Sequence, residues 1–140
     1  MGSTHVPEML RLGGCPLCVR LTVLMMKDSL LMTEADRRRI LAACRAAPEE
    51  RIVITHGTDT MTKTASVLAK GLAEKTVVLT GAMRPYRFGS SDGLFNLGSA
   101  LSFAQALAPG VYVAMNGQAF LWNEVRKDRR RGVFARKGRS

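Results

Sequence analysis

Arg51-Ile52-Val53-Ile54-Thr55-His56-Gly57-Thr58-Asp59 is the stretch whose reading decides the fold. Ile52, Val53 and Ile54 form a β-branched run, the pattern of a strand buried on both faces. The run stops at six small or polar residues, Thr55 to Thr60, and Met61 begins a helix-like pattern. A strand that turns through a glycine into a helix delivers side chains to the carboxyl edge of a sheet, where open α/β sheets bind their ligands. His56, Thr58, Asp59 and Thr60 place an imidazole, hydroxyls and a carboxylate there. Helix capping accounts for Asp59 or Thr60 and leaves the others without a task, so the stretch reads as a site.

Working downstream, Met61 to Leu72 predicts a helix with Ala65, Leu68, Ala69 and Leu72 on one face, weakened by Gly71 in its last turn. Thr76 to Thr80 is a second buried-strand run, ending in Gly81-Ala82-Met83-Arg84-Pro85 and a loop to Ser91. Asp92 is placed to cap a helix running towards Leu107, and Pro109-Gly110 turns the chain into a strand from Val111 to Met115. Asn116-Gly117 is a hairpin signal, so Gln118 to Trp122 is expected to return antiparallel.

Upstream, Thr33 and Asp36 stand at capping-box spacing before a helix that Pro48 stops near Ala47. Arg37, Arg38 and Arg39 on that helix point about 100° apart, which suits a solvated face better than a phosphate clamp. Arg20 to Met26 reads as a further strand, ending at the loop Lys27-Asp28-Ser29. Gly13, Gly14 and Pro16 break the periodicity of the first twenty residues, and no helix is predicted there. Alternating strands and helices with connections of this length imply an α/β fold. Its parallel sheet carries helices on both faces in a Rossmann-like three-layer arrangement, and residues 1–140 form one domain.

Composition narrows the function classes. Hydrophobic residues make up 46% of the 140, and no apolar run approaches the ~20 residues that span a bilayer. Residues 1–8 lack the basic start and apolar core of a secretory signal, so no membrane partner and a cytoplasmic location are expected. Three cysteines, including the pair Cys15 and Cys18, show neither disulfide parity nor zinc-ligand spacing with Cys44, His5 or His56. No metal is expected. The net charge of +10 is segregated: eight basic and two acidic residues fall between Glu124 and Ser140. Residues 128–140 read as a basic, solvated and mobile tail, since no nucleic-acid motif accompanies them.

Three segments then carry a resemblance. His56-Gly57-Thr58-Asp59-Thr60-Met61, Gly81-Ala82-Met83-Arg84-Pro85 and Ser91-Asp92-Gly93-Leu94-Phe95-Asn96-Leu97 resemble, in order, spacing and strand-end placement, the amino-terminal domain of the bacterial L-asparaginase family. The similarity extends more weakly from Lys27 to Lys127, and the short single-domain members are most alike. The resemblance implies hydrolysis of the side-chain amide of asparagine, often glutamine too, through an acyl-enzyme on a threonine hydroxyl, without a cofactor. It implies a small amino-acid amide as partner and a homo-oligomer as assembly.

By the same resemblance Thr58 is a second threonine in a Thr–Asp–Lys group, with Lys127 as base-like partner. Asp59 grips the substrate's α-ammonium and Ser29 its α-carboxylate. A zwitterionic substrate needs opposite charges at its two ends, and these residues supply such a pairing in part. His56, Gly57, Thr60, Gly81, Ala82 and Met83 support the loops. A base-like lysine needs a neutral amine, whereas a nearby carboxylate favours the ammonium form. Lys127 also reads, more simply, as a solvated member of a basic run; Trp122 and Val125 beside it look like packed neighbours.

One departure is large. Family members begin with a strand ending T-G-G-T-I, whose threonine is the nucleophile, followed by a loop bearing a catalytic tyrosine. Neither is among these 140 residues, and Gly13-Gly14 lacks the flanking threonine and apolar strand. The chain thus resembles a member that starts after its first strand and catalytic loop. Three readings follow: an asparaginase-type amidohydrolase, a non-catalytic remnant that binds an amino acid, and a nucleic-acid binder acting through the basic run.

Overall fold

The structure, a computed structural model, describes residues 4–85 and 90–138. Part of the expected loop between Pro85 and Ser91 lies outside the described residues, as do the first three and last two positions.

A four-stranded sheet has the order β1-β2-β3-β4, formed by Arg51–Thr55, Thr76–Thr80, Gly110–Met115 and Gln118–Leu121. The first three strands are parallel and the fourth runs antiparallel to β3. β1 and β2 pair from Arg51 opposite Thr76 to Thr55 opposite Thr80, so both end at one level. β2 is the buried centre: all five of its residues are buried, and Val77, Val78 and Leu79 have no exposed surface. Each such side chain removed from water stabilises by about 1.5–3 kcal/mol.

The faces of β2 organise three layers. Val77 and Leu79 join Ala65 and Leu68 of α3 (Met61–Gly71), with Ile40 and Cys44 of α2 (Glu34–Ala46) in the same cluster. Val78 faces the other way, onto Ala100 and Ala104 of α4 (Gly93–Ala106). The sheet thus carries helices on both faces, as its alternation of elements predicts. Gly71 lets α3 approach α2 closely, because a Cβ there would stand 2.6 Å from Leu41 Cδ2. The Asn116-Gly117 turn has φ of +57° and +75°, which places both residues in the left-handed region of a primed hairpin.

Several expectations need correction. Among the described residues β1 is an edge strand, and Ile52, Val53 and Ile54 are half-buried because a strand partner lies on one side only. Residues 20–26 form no strand among the described residues. Leu21, Val23 and Met26 stay exposed, and only Leu24 and Met25 pack on the core. Apolar residues without a ladder partner do not make a strand. A two-turn helix, α1 (Val6–Leu12), occupies the start where none was predicted; Pro7 fits its first turn and Gly13 is its C-cap. Arg37 is buried, at 4% exposure, rather than on a solvated face.

The basic run is also more ordered than a free tail. Residues β5 (Val125–Asp128) and β6 (Val133–Arg136) form an antiparallel hairpin whose Val125 and Phe134 enter the main core. Two well-spaced apolar side chains suffice to pin a segment that is otherwise polar. Among the described residues no helix is long and apolar enough to cross a membrane.

Candidate functional site

The loop between β1 and α3 is fixed at four points. The His56 N–H donates to the Thr80 carbonyl at 2.9 Å, which ties the end of β1 to the end of β2. Gly81 makes this approach feasible: a Cβ there would stand 2.2 Å from the His56 carbonyl oxygen. Gly57 lies against Ser29, where a Cβ would meet both Cβ and Oγ at 2.9 Å. Ser29, at 1% exposure, accepts from the Thr60 N–H at 3.2 Å, and its carbonyl accepts from Thr60 Oγ1 at 2.9 Å. These contacts seat a serine from a distant loop beside His56-Gly57-Thr58-Asp59.

His56 closes the fourth point. Its Nδ1 lies 2.6 Å from the Gly57 carbonyl, an acceptor, so that nitrogen carries the proton. In the neutral ring Nε2 then accepts from the Thr64 hydroxyl at 2.8 Å, and Thr64 Oγ1 accepts from Arg37 Nε at 3.2 Å. Arg37 can only donate, which orients the whole chain of bonds. Burial pushes the His56 ring below its ordinary value; the bond to Gly57 opposes that shift and the Arg37 charge adds to it.

The sign follows from proton counting. An unfolded chain takes up its histidine proton near pH ~6.5, and the folded chain takes it up only at lower pH. The unfolded state therefore binds more protons between those values, and stability falls as pH drops through that window. Urea unfolding should show this slope in the native chain and a reduced slope in His56→Gln; an unchanged slope would refute the neutral, half-buried ring.

Thr58, Asp59 and Lys127 meet at the carboxyl edge. Lys127 Nζ donates to Thr58 Oγ1 at 2.7 Å and to Asp59 Oδ1 at 2.9 Å. Thr58 is 8% exposed, and the side chains of Lys127 and Asp59 are 15% and 25% exposed. Arg129 adds a second bond to Asp59 Oδ1 at 2.5 Å. Hydrogen bonds from Lys127 first and Arg129 second hold the Asp59 carboxyl below the usual carboxylate range, against a small effect of burial.

Lys127 arrives on β5, so the hairpin's anchorage determines the site's geometry. The Phe134 N–H donates to Asn116 Oδ1 at 2.9 Å, and the Asn116 N–H donates to Asn96 Oδ1 at 3.1 Å. Asn96, fully buried in α4, donates from Nδ2 to the Gly81 carbonyl at 2.8 Å and to Asp92 Oδ2 at 3.0 Å. Asp92 in turn accepts from the N–H groups of Met83 and Arg84, both at 3.0 Å. It thereby staples the Gly81-Ala82-Met83 loop instead of capping α4 by its side chain; Ser91 Oγ accepts from the Gly93 N–H. One network links that loop, α4, the Asn116 turn and the hairpin.

Sequence reasoning missed Arg129, Asn96, Asn116, Arg37 and Thr64. Asn96 had a visible signal, a polar residue inside the apolar run Leu94-Phe95-Asn96-Leu97. Arg129 had none, being one of three consecutive arginines. Among the described residues no group of three or more His, Cys, Asp or Glu side chains is placed to hold a metal ion.

Residues 6–135 match the family model described as Asparaginase, N-terminal. The chain is 43% identical over 112 residues to the L-asparaginase of Thermococcus kodakarensis, covering 77% of this chain and 34% of that protein. It is 40% identical over 106 residues to L-asparaginase 2 of Escherichia coli, covering 73% and 29%. The solved thermostable L-asparaginase from Thermococcus kodakarensis superposes with a TM-score of 0.84 at 32% identity, over 96% of this chain and 44% of that one. The crystal structure of a probable cytoplasmic L-asparaginase from Campylobacter jejuni gives 0.81 at 29%, over 99% and 46%. The chain spans about a third of those curated relatives and under half of the solved chains.

Proposed function

The chain belongs to the asparaginase family, and from that premise we propose that its strand-end site serves hydrolysis of the side-chain amide of L-asparagine, with glutamine as the alternative substrate. The observation that carries this reading is the lysine bridge: Lys127 Nζ touches the hydroxyl of Thr58 and the carboxylate of Asp59 at once. A hydroxyl attacking an amide must shed its proton, and an ordinary threonine does so only with a relay beside it. Thr58 is the member that faces the substrate, and Lys127 in its neutral amine form is the member that receives the proton.

Asp59 has two tasks in this scheme. Its Oδ1 holds the lysine and Arg129, while Oδ2 is left to receive the substrate's α-ammonium. A substrate ammonium at Asp59 competes with Lys127 for the same carboxylate, so binding and relay are coupled. The family resemblance assigns the α-carboxylate to Ser29, which at 1% exposure reaches it only when the Gly57 loop packed over it yields. The acyl-enzyme forms on a T-G-G-T-I threonine that these 140 residues do not contain; the residues present bind the amino acid and relay the proton of the attacking hydroxyl. We further propose a cytoplasmic setting, as the Campylobacter jejuni relative is described, and, on the family resemblance, a homo-oligomeric protein.

Calorimetric titration of the 140-residue chain tests recognition without needing turnover. L-asparagine should bind, and succinamate, which lacks the α-ammonium, should bind at least about tenfold more weakly, since a charged hydrogen bond is worth ~1.5–3 kcal/mol. Asp59→Asn should erase that difference. Equal binding of both ligands to the native chain would remove Asp59 from substrate recognition. Arg129→Ala is expected to tighten asparagine binding a few-fold, because the guanidinium and the ammonium compete for one carboxylate; weaker binding would instead make Arg129 a support of the site.

A further inference from the structure

A groove of about 440 Å³ opens beside the site, between the first two turns of α3 and the hairpin β5–β6. Lys63, Arg126, Lys127, Arg129 and Lys137 line it, against the single carboxylate of Asp59. Lys127 and Arg129 already share that carboxylate. Arg126 is held only loosely, with Asp128 at 3.8 Å. Among the described residues neither Lys63 nor Lys137 has a carboxylate within ion-pair distance. The groove therefore gathers positive charge that the protein itself leaves unmatched.

Its other lining groups suit a particular anion. Thr62, Ser66 and Asn123 offer hydroxyl and amide donors of the kind that meet phosphate oxygens. Trp122, the chain's sole tryptophan, packs against the core and lines the groove while remaining half-buried. A cationic channel with an aromatic wall is the arrangement by which proteins hold single-stranded nucleic acid, backbone on the cations and bases on the ring. An acidic peptide would use the charge and leave the tryptophan and the donors idle.

We infer that the groove between α3 and the β5–β6 hairpin binds single-stranded nucleic acid, with Lys63, Arg126 and Lys137 on its phosphates and a base on Trp122. This groove shares Asp59, Lys127 and Arg129 with the proposed amide site, and its test does not depend on turnover. Because a net charge of +10 attracts any polyanion, the test must distinguish this groove from diffuse attraction.

The probe is an end-labelled, mixed-sequence single-stranded DNA of about twelve nucleotides, followed by fluorescence anisotropy and by Trp122 emission. Three phosphate contacts predict that log Kd changes with log salt concentration with a slope of magnitude about 2. Lys63→Ala/Lys137→Ala should weaken binding about tenfold or more at ~50 mM salt and lower the slope magnitude to about 0.7. Trp122 emission should quench as the strand binds. Arg38→Ala/Arg39→Ala removes the same charge from an exposed stretch of α2 and should leave both readouts near those of the native chain. Absence of binding, equal loss in the two double variants, unquenched Trp122, or displacement by poly-glutamate at lower concentration than by unlabelled DNA would each overturn the assignment.

Discussion

Lys127→Ala is expected to suppress ammonia release from asparagine roughly ten-thousand-fold, measured in a form that also carries a T-G-G-T-I strand. Nζ is the group that bridges Thr58 and Asp59, so its loss leaves the attacking hydroxyl with no onward path for its proton. Lys127→Arg separates charge from proton transfer. A guanidinium keeps the positive charge beside Asp59 and does not give up its proton near neutral pH, so turnover should remain low while asparagine binding persists. Recovery of most of the rate in Lys127→Arg would show that the lysine acts only as a charge. Full activity in Lys127→Ala would remove it from the mechanism.

Gly81→Ala should destabilise the fold by about 2–3 kcal/mol, an unusually large effect for one added methyl. The new Cβ would stand 2.2 Å from the His56 carbonyl oxygen, and the obstacle is backbone rather than a mobile side chain. Relief requires β1 and β2 to part at their carboxyl ends, where the His56 N–H bonds to the Thr80 carbonyl. Gly98→Ala is the matched control. It lies within α4 with nothing within 4 Å of its added Cβ, so helix propensity alone should leave it neutral or up to ~1 kcal/mol more stable. Urea midpoints of the two variants check both statements, and a Gly81→Ala midpoint equal to the native value would contradict the close approach.

The legible parts of the fold share a physical character. Thr76–Thr80 is apolar on both faces, so the sequence announces a strand whichever side packs on helices. Thr33 and Asp36 make a local capping box, with bonds of 2.9 and 3.2 Å that depend on no distant residue. The Asn116-Gly117 turn needs only its own two backbone conformations. The less legible parts depend on distant partners. Residues 20–26 have a strand's composition, but no pairing strand is present for them among the described residues. β5 and β6 are mostly polar and owe their place to Val125 and Phe134 meeting the core. Arg37 looks solvated until Thr64, 27 residues away, accepts its N–H.

The same division runs through the site. Thr58 and Asp59 follow a strand, so their location at the sheet edge was readable from local pattern. Lys127 could be placed near them only by resemblance, because 68 residues separate it from Asp59. Asn96 and Asn116, which anchor its hairpin, act through long-range hydrogen bonds that no spacing rule predicts.

The measurement that bears most directly on the proposed chemistry is ammonia release from L-asparagine by the purified 140-residue chain, run beside a form extended by a T-G-G-T-I strand. Background is expected for the first and turnover for the second, abolished by Thr58→Ala. Robust turnover by the unextended chain would contradict this and require another attacking hydroxyl, with Thr60 and Ser29 of this loop cluster the first to test.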